Sequence, residues 1–231
     1  MFNKIAITVF ALSLASCVIP RHRPPAPRPR AASAGSLSLP LPGSYAIDSN
    51  DSALRLLIYR AGPLAALGHN HVVVSHAVTG LVQVGGSVAE SSFSLRVPVE
   101  SFVVDESQAR RQEGSDFAGD IASDAKLDTR SNMLSSALLD AAHYPEIIVT
   151  SLTLSSTPEG PMAELCIHVA GHMAKLSAPF NLQRDAHRMT AMGAVELRQS
   201  TLGLTPHSLL HGALQVQDAM LLKFSLAVPL D

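Results

Sequence analysis

The sequence predicts an all-β fold in which many short strands form a sandwich or a barrel. Three observations predict it. Apolar residues recur with a period of two: Phe93, Leu95, Val97 and Val99 alternate with Ser92, Ser94, Arg96 and Pro98, and Leu222, Phe224, Leu226 and Val228 alternate with Leu221, Lys223, Ser225 and Ala227. Turn residues separate such runs at Gly85-Gly86, at Thr157-Pro-Glu-Gly-Pro161 and at Arg184-Asp-Ala-His-Arg188. Only two stretches break this rhythm, so helices are a minor part of the chain.

Taken in order, residues 1–16 read as a secretory signal, because Lys4 precedes an apolar run from Ile5 to Leu14 that is too short to span a bilayer. Leu14-Ala15-Ser16-Cys17 resembles the lipobox of a bacterial lipoprotein. That resemblance implies cleavage before Cys17, acylation of Cys17 and, with Val18 in place of aspartate, an outer-membrane lipoprotein facing the periplasm. Residues 17–43 read as the lipidated cysteine and a Pro/Arg-rich linker, since residues 18–43 hold seven prolines and four arginines and cannot bury a core. Residues 44–231 carry the strands, predicted at Leu54 to Tyr59, His71 to Ser75, Val78 to Val84, Ile147 to Leu154, Leu165 to Ala170, Leu176 to Leu182, Met189 to Leu197 and Leu214 to Gln217, besides the two alternating runs above. Met133, Leu134, Ala137, Leu138 and Ala141 fall at helical spacing after Ser131 and Asn132, which can cap, and Pro145 ends the segment, so a helix of about three turns is expected there. Asp105 to Phe117 is polar and reads as a short surface helix or a loop.

Composition excludes several function classes. Of 231 residues, 47% are hydrophobic, 16% charged and 4% aromatic, which is a globular and not a disordered balance. Five of the 17 basic residues and none of the 19 acidic ones lie in residues 1–43, so the rest of the chain has a net charge of −7. That is a poor match to nucleic acid. Two cysteines, Cys17 and Cys166, allow neither a disulfide framework nor a multi-cysteine zinc site, and Cys166 in its alternating strand reads as a small buried apolar residue. No Gly-x-Ser-x-Gly, dinucleotide fingerprint, phosphate loop or His-Glu-x-x-His is present, so no enzyme is expected.

The order of several motifs resembles the YceI-like family: Tyr45-Ala-Ile-Asp48, Ser52-Ala-Leu-Arg-Leu56, a glycine before a strand at Gly68, Arg130-Ser-Asn-Met-Leu134, His143-Tyr-Pro-Glu-Ile-Ile148 running into Thr150-Ser151, and Val216-Gln-Asp218. The resemblance covers residues 44–231. It implies an antiparallel lipocalin-like β-barrel of about eight strands with one or two short helices, whose apolar interior holds an isoprenoid, quinone or fatty acyl lipid, with no cofactor. The chain departs from the family pattern at Val169–Lys175 and at Gly68-His-Asn-His71.

Elementary packing by itself leaves two readings of the interior open. A barrel of this size is either filled by its own side chains or left with room for one small ligand. With few aromatic rings to fill the interior, both a lipid cavity and a filled structural barrel stand. His69 and His71, two residues apart on a strand, place two imidazoles on one face, as a metal site needs, so the alternative function is a metal-binding protein or metal-dependent enzyme using Gly68-His-Asn-His71, with His143, His207 or His211 as candidates for the third ligand. The competing readings are that His69 and Asn70 fix a tight loop by hydrogen bonds, or that His69, Asn70, His71, Arg130 and Asn132 line the cavity mouth and contact a lipid head group. Arg130, Ser131 and Asn132 also have the composition of an anion site at a helix start, although capping accounts for two of them.

Overall fold

The structure, a computed structural model, describes residues 39–230. Its elements run β1 (Gly43–Ala46), β2 (Ala53–Ile58), β3 (Arg60–Ala61), β4 (His71–Ser75), β5 (Thr79–Val84), β6 (Ser92–Pro98), β7 (Val103–Val104), α1 (Ser107–Arg111), α2 (Ser123–Leu134), β8 (Glu146–Thr157), β9 (Gly160–Val169), β10 (His172–Pro179), β11 (Asn181–Arg184), β12 (Arg188–Arg198), β13 (Ser208–Leu209), β14 (Leu214–Val216) and β15 (Ala219–Pro229). The signal, the lipobox with Cys17 and the linker up to residue 38 lie outside the described residues.

Two six-stranded antiparallel sheets form the molecule, one in the order β1-β5-β6-β8-β9-β10 and the other β11-β12-β15-β2-β4-β7. A small third sheet joins β13, β14 and β3. The sheets do not close into a single ladder, so the lipocalin-like fold here is an open one. Its alternation is the expected one: in β6, Leu95 and Val97 are buried while Ser94 and Arg96 are exposed, and in β9, Ala163, Leu165, Ile167 and Val169 share the inner face. Cys166 is buried as well, on the opposite face of β9, with its Sγ 3.5 Å from His168 Nε2.

The predicted strand over 176–182 is in fact two. β10 is an edge of the first sheet and β11 an edge of the second, and only Phe180 separates them; its N–H still donates to Pro161 O of β9 at 3.0 Å, and the next residue, Asn181, already pairs with Met192 of β12. This one-residue corner carries the chain between the sheets. Beside it, β12 approaches so closely that a Cβ on Gly193 would stand 2.5 Å from Pro179 O and from the Phe224 ring. Gly193→Val is therefore expected to cost roughly 1–3 kcal/mol in urea unfolding. Unchanged stability would mean that the corner is not packed as described.

The helix is displaced from its predicted place. α2 ends at Leu134, where the apolar spacing from Met133 to Ala141 promised a beginning. Residues 123–134 contain no Gly or Pro and favour helix despite their polarity, whereas Ser135 turns extended and its hydroxyl donates to Asn132 O, closing the C-terminal end. The apolar residues that follow wrap back as turns, with Leu139 N–H on Met133 O and Ala141 N–H on Leu134 O. Asp105 to Phe117 is both things expected of it, a short helix followed by a loop with one 3-10 turn. No helix among the described residues is long and apolar enough to cross a membrane.

The main core lies between the sheets. A second cluster, Leu57, Tyr59, Val72, Val74, Ala109 and Phe117, sits on the other face of β2 and β4, where Phe117 meets Tyr59 edge-on at 5.4 Å. β4 is thereby covered on both sides: Val72, Val73, Val74 and Ser75 are all fully buried.

Candidate functional site

Between the sheets lies a cavity of about 170 Å³ whose walls come from the inner faces of both, among them Leu54, Val82, Leu95, Ile167, Leu182 and Phe224. Among the described residues Ser91 is the only polar one in its lining. Its hydroxyl is occupied, donating to Ser87 O at 2.8 Å and accepting from Gly85 N–H at 3.1 Å. A space of this kind offers water no partners and holds hydrocarbon; cavities near 150 Å³ with aliphatic and aromatic walls stay dry and take up benzene. Leu39, which the sequence assigns to the tether, is part of the wall.

A second cavity, of about 220 Å³, has a different chemistry. Its walls include His69, His71, Asn132, Gln199, His207 and Arg60, and no Asp or Glu among the described residues. His71 opens β4 opposite Ile58 of β2. Beneath it lies Asp105, which continues the β4–β7 pairing by donating its N–H to Val72 O at 2.7 Å and then turns with a left-handed φ of 56°. The turn brings its fully buried carboxylate under the His71 ring. Oδ2 accepts from His71 Nδ1 at 2.6 Å, and Oδ1 accepts from Arg110 Nη1 at 2.6 Å and from Val72 N–H at 2.9 Å. Arg110, also buried, further donates to Asn70 O and Gly119 O.

Burial pushes the Asp105 carboxyl up, but the hydrogen bonds from His71, Val72 and Arg110 together with the charge of His71 outweigh it and hold the group below its ordinary value. An ionised carboxylate only accepts, so His71 carries its proton on Nδ1. Nε2 on the far edge of the ring then has no partner among the described residues and is available to the cavity.

Of the residues singled out from sequence, His69, His71 and Asn132 line this cavity, and Asn70 and Arg130 do not. Asn70 is a tie: its Oδ1 accepts from Arg60 N–H at 3.0 Å and its Nδ2 donates to Asp116 O at 2.9 Å. Arg130 donates to Phe102 O and Glu100 O, and it lies with Ser131 and Asn132 near the C-terminal end of α2, where no anion-binding helix start exists. His69 precedes the strand and is not part of it, and its ring lies 6.5 Å from that of His71, centroid to centroid. His207 reaches the same cavity, His143 pairs with Asp140 on the surface and His211 sits in an exposed turn. Among the described residues, no three His, Cys, Asp or Glu side chains come together in a way that could hold a metal ion. Asp105 and Arg110 were not signalled by sequence, since 34 residues separate Asp105 from the histidine it supports.

Two facing antiparallel sheets around an apolar cavity define a lipocalin-like binding fold. Solved structures share it. BcnA of Burkholderia cenocepacia superposes with a TM-score of 0.58 at 14% identity, over 78% of this chain and 98% of that one. A polyisoprenoid-binding domain from Saccharophagus degradans, implicated in plant cell wall breakdown, does so with a TM-score of 0.52 at 13% identity, over 80% and 97%. A Campylobacter jejuni YCEI protein is a looser match, with a TM-score of 0.44 at 9% identity over 66% and 80%. The chain thus has the YceI-like, lipocalin-like fold expected from its sequence. No protein-family model matches the sequence, and no curated protein matches it.

Proposed function

We propose that this chain is a YceI-like lipid-binding protein that sequesters or carries a long apolar chain of isoprenoid, quinone or fatty acyl type between its two sheets, without a catalytic step. The observation that carries this reading is the cavity wall, aliphatic and aromatic throughout except for a serine whose hydroxyl is already satisfied. The fold shared with a polyisoprenoid-binding domain supports it. At about 170 Å³ the cavity takes a ring or a short stretch of chain as it stands, below the roughly 300–1,000 Å³ of pockets for larger ligands. A long chain enters by parting the sheets, which no common ladder locks together.

Ligand that binds only the folded state adds about 2.7 kcal/mol of stability at a hundred times its Kd. The purified full chain is expected to show a rise in Tm with a polyprenol, a quinone or a long-chain fatty acid, and mass spectrometry of its organic extract should reveal a co-purifying lipid. No stabilisation by any of these classes, together with an empty extract, would leave a purely structural protein.

The tether belongs to the same reading. With acyl chains on Cys17, membrane retention requires no span, so Cys17→Ala is expected to move the protein from the outer-membrane fraction to the soluble periplasmic fraction. A variant that still fractionates wholly with the membrane would refute the lipoprotein anchor.

A further inference from the structure

We propose that the second cavity is a head-group compartment, taking a carboxylate or phosphate at His71 while the attached tail lies in the apolar cavity. This rests on the lipid-binding reading above.

The two cavities lie along one surface. On β2, Leu54, Leu56 and Ile58 share the inner face; Leu54 lines the apolar cavity and Ile58 the polar one. Four strand residues span about 13 Å, which is the distance a tail has to cover, past Leu56, from a head group beside Ile58 to the apolar wall at Leu54. On β4 the same face presents Val73 and then His71. Polarity changes abruptly along this line, from a single satisfied serine to three histidines, an arginine, an asparagine and two glutamines.

Charge gives the sign of the head group. The groups facing the compartment are Arg60, His69, His71 and His207 on its walls, with Asp105 and Arg110 beneath His71. While His71 is neutral, Asp105 and Arg110 cancel and Nε2 presents a lone pair. A proton taken up at Nε2 converts it to a donor and leaves the buried group with one positive charge, which an incoming anion neutralises. Binding of the anion and protonation of His71 are therefore coupled, and the Asp105 carboxylate fixes the ring for that role as a second partner behind a histidine does elsewhere.

The test is isothermal titration of the full chain with dodecanoate, dodecanol, dodecyl phosphate and inorganic phosphate. The expected result is a preference for dodecanoate over dodecanol of about tenfold or more, with proton uptake on binding of the acid read from the buffer dependence of the heat. His71→Gln should abolish the preference and leave dodecanol affinity in place. Should His71→Gln not fold, the double variant His69→Gln, His207→Gln, whose side chains make no hydrogen bond among the described residues, should lessen the preference. Equal affinity for acid and alcohol in the native protein, or a preference that survives in every folded variant, would overturn the compartment while leaving lipid binding intact. Inorganic phosphate binding as tightly as dodecyl phosphate would make this a free-anion site and overturn the link to a tail. Failure of all tailed ligands to bind would refute the lipid-binding reading itself, and this proposal with it.

Discussion

Asp105→Ala is expected to cost about 3–5 kcal/mol, the usual penalty for removing one partner of a buried ion pair. The aspartate is wholly buried and Arg110 is 4% exposed, so the variant leaves a guanidinium without its counter-charge where water cannot replace it. In a domain of this size that corresponds to a fall in Tm of roughly 10 °C. Val72 N–H loses its acceptor as well. The pH dependence follows from the sign of the shift. A carboxyl held below its ordinary value stabilises the fold at pH above that ordinary value, and the contribution disappears as pH falls through the lowered one. Asp105→Asn should therefore remove part of the acid sensitivity of unfolding. Urea midpoints at pH 7, 5 and 3.5 that keep the native acid slope in the Asn variant would show that Asp105 is not the group responsible.

Ala163→Phe is expected to abolish uptake of an apolar chain. Ala163 faces the cavity from the middle of β9, and a phenyl ring placed there consumes space that measures only about 170 Å³. Overfilling costs roughly 1–3 kcal/mol, so the protein should remain folded. What should vanish is the rise in Tm with lipid, equivalent to a loss of affinity of a hundredfold or more, or about 2.7 kcal/mol. Leu81→Phe, at an exposed position of β5 away from the cavity, is the matched control and should leave the ligand-dependent shift unchanged. Retained binding in Ala163→Phe would place the ligand elsewhere.

Strands whose residues alternate in polarity were plain in the sequence, and β6 and β15 lie where alternation put them, while β4 fills its expected span from His71 to Ser75 although both its faces are covered. Alternation fails where an element serves two layers. The run 176–182 reads as one strand, yet at Phe180 the chain leaves one sheet and joins the other. Apolar spacing misplaced the helix for a related reason: Met133 packs onto the core from the last turn of α2 and Leu138 and Leu139 from the turns that follow, and their spacing reflects that surface, not a continuing helical period. The apolar cavity was foreshadowed by the scarcity of rings. His69 and His71 were visible as a pair, but the support for His71 comes from Asp105 on the neighbouring strand end and Arg110 on α1, a convergence that only the β4–β7 pairing produces. Local pattern carries no record of such a long-range pairing.

The burial of β4 on both faces has a consequence for how the molecule breathes. A ligand that parts the two sheets works on the inner layer alone, whereas the amides of Val72, Val73 and Val74 lie between that layer and the cluster held by Phe117 and Ala109. Their deuterium exchange should proceed only through global unfolding, and so should measure the stability of the whole domain. The amides of β1 and β11, on the outer edges of their sheets, should exchange through local opening. The domain thus combines edges that fray with a central strand that does not, so the opening that the proposed lipid uptake requires need not pass through global unfolding.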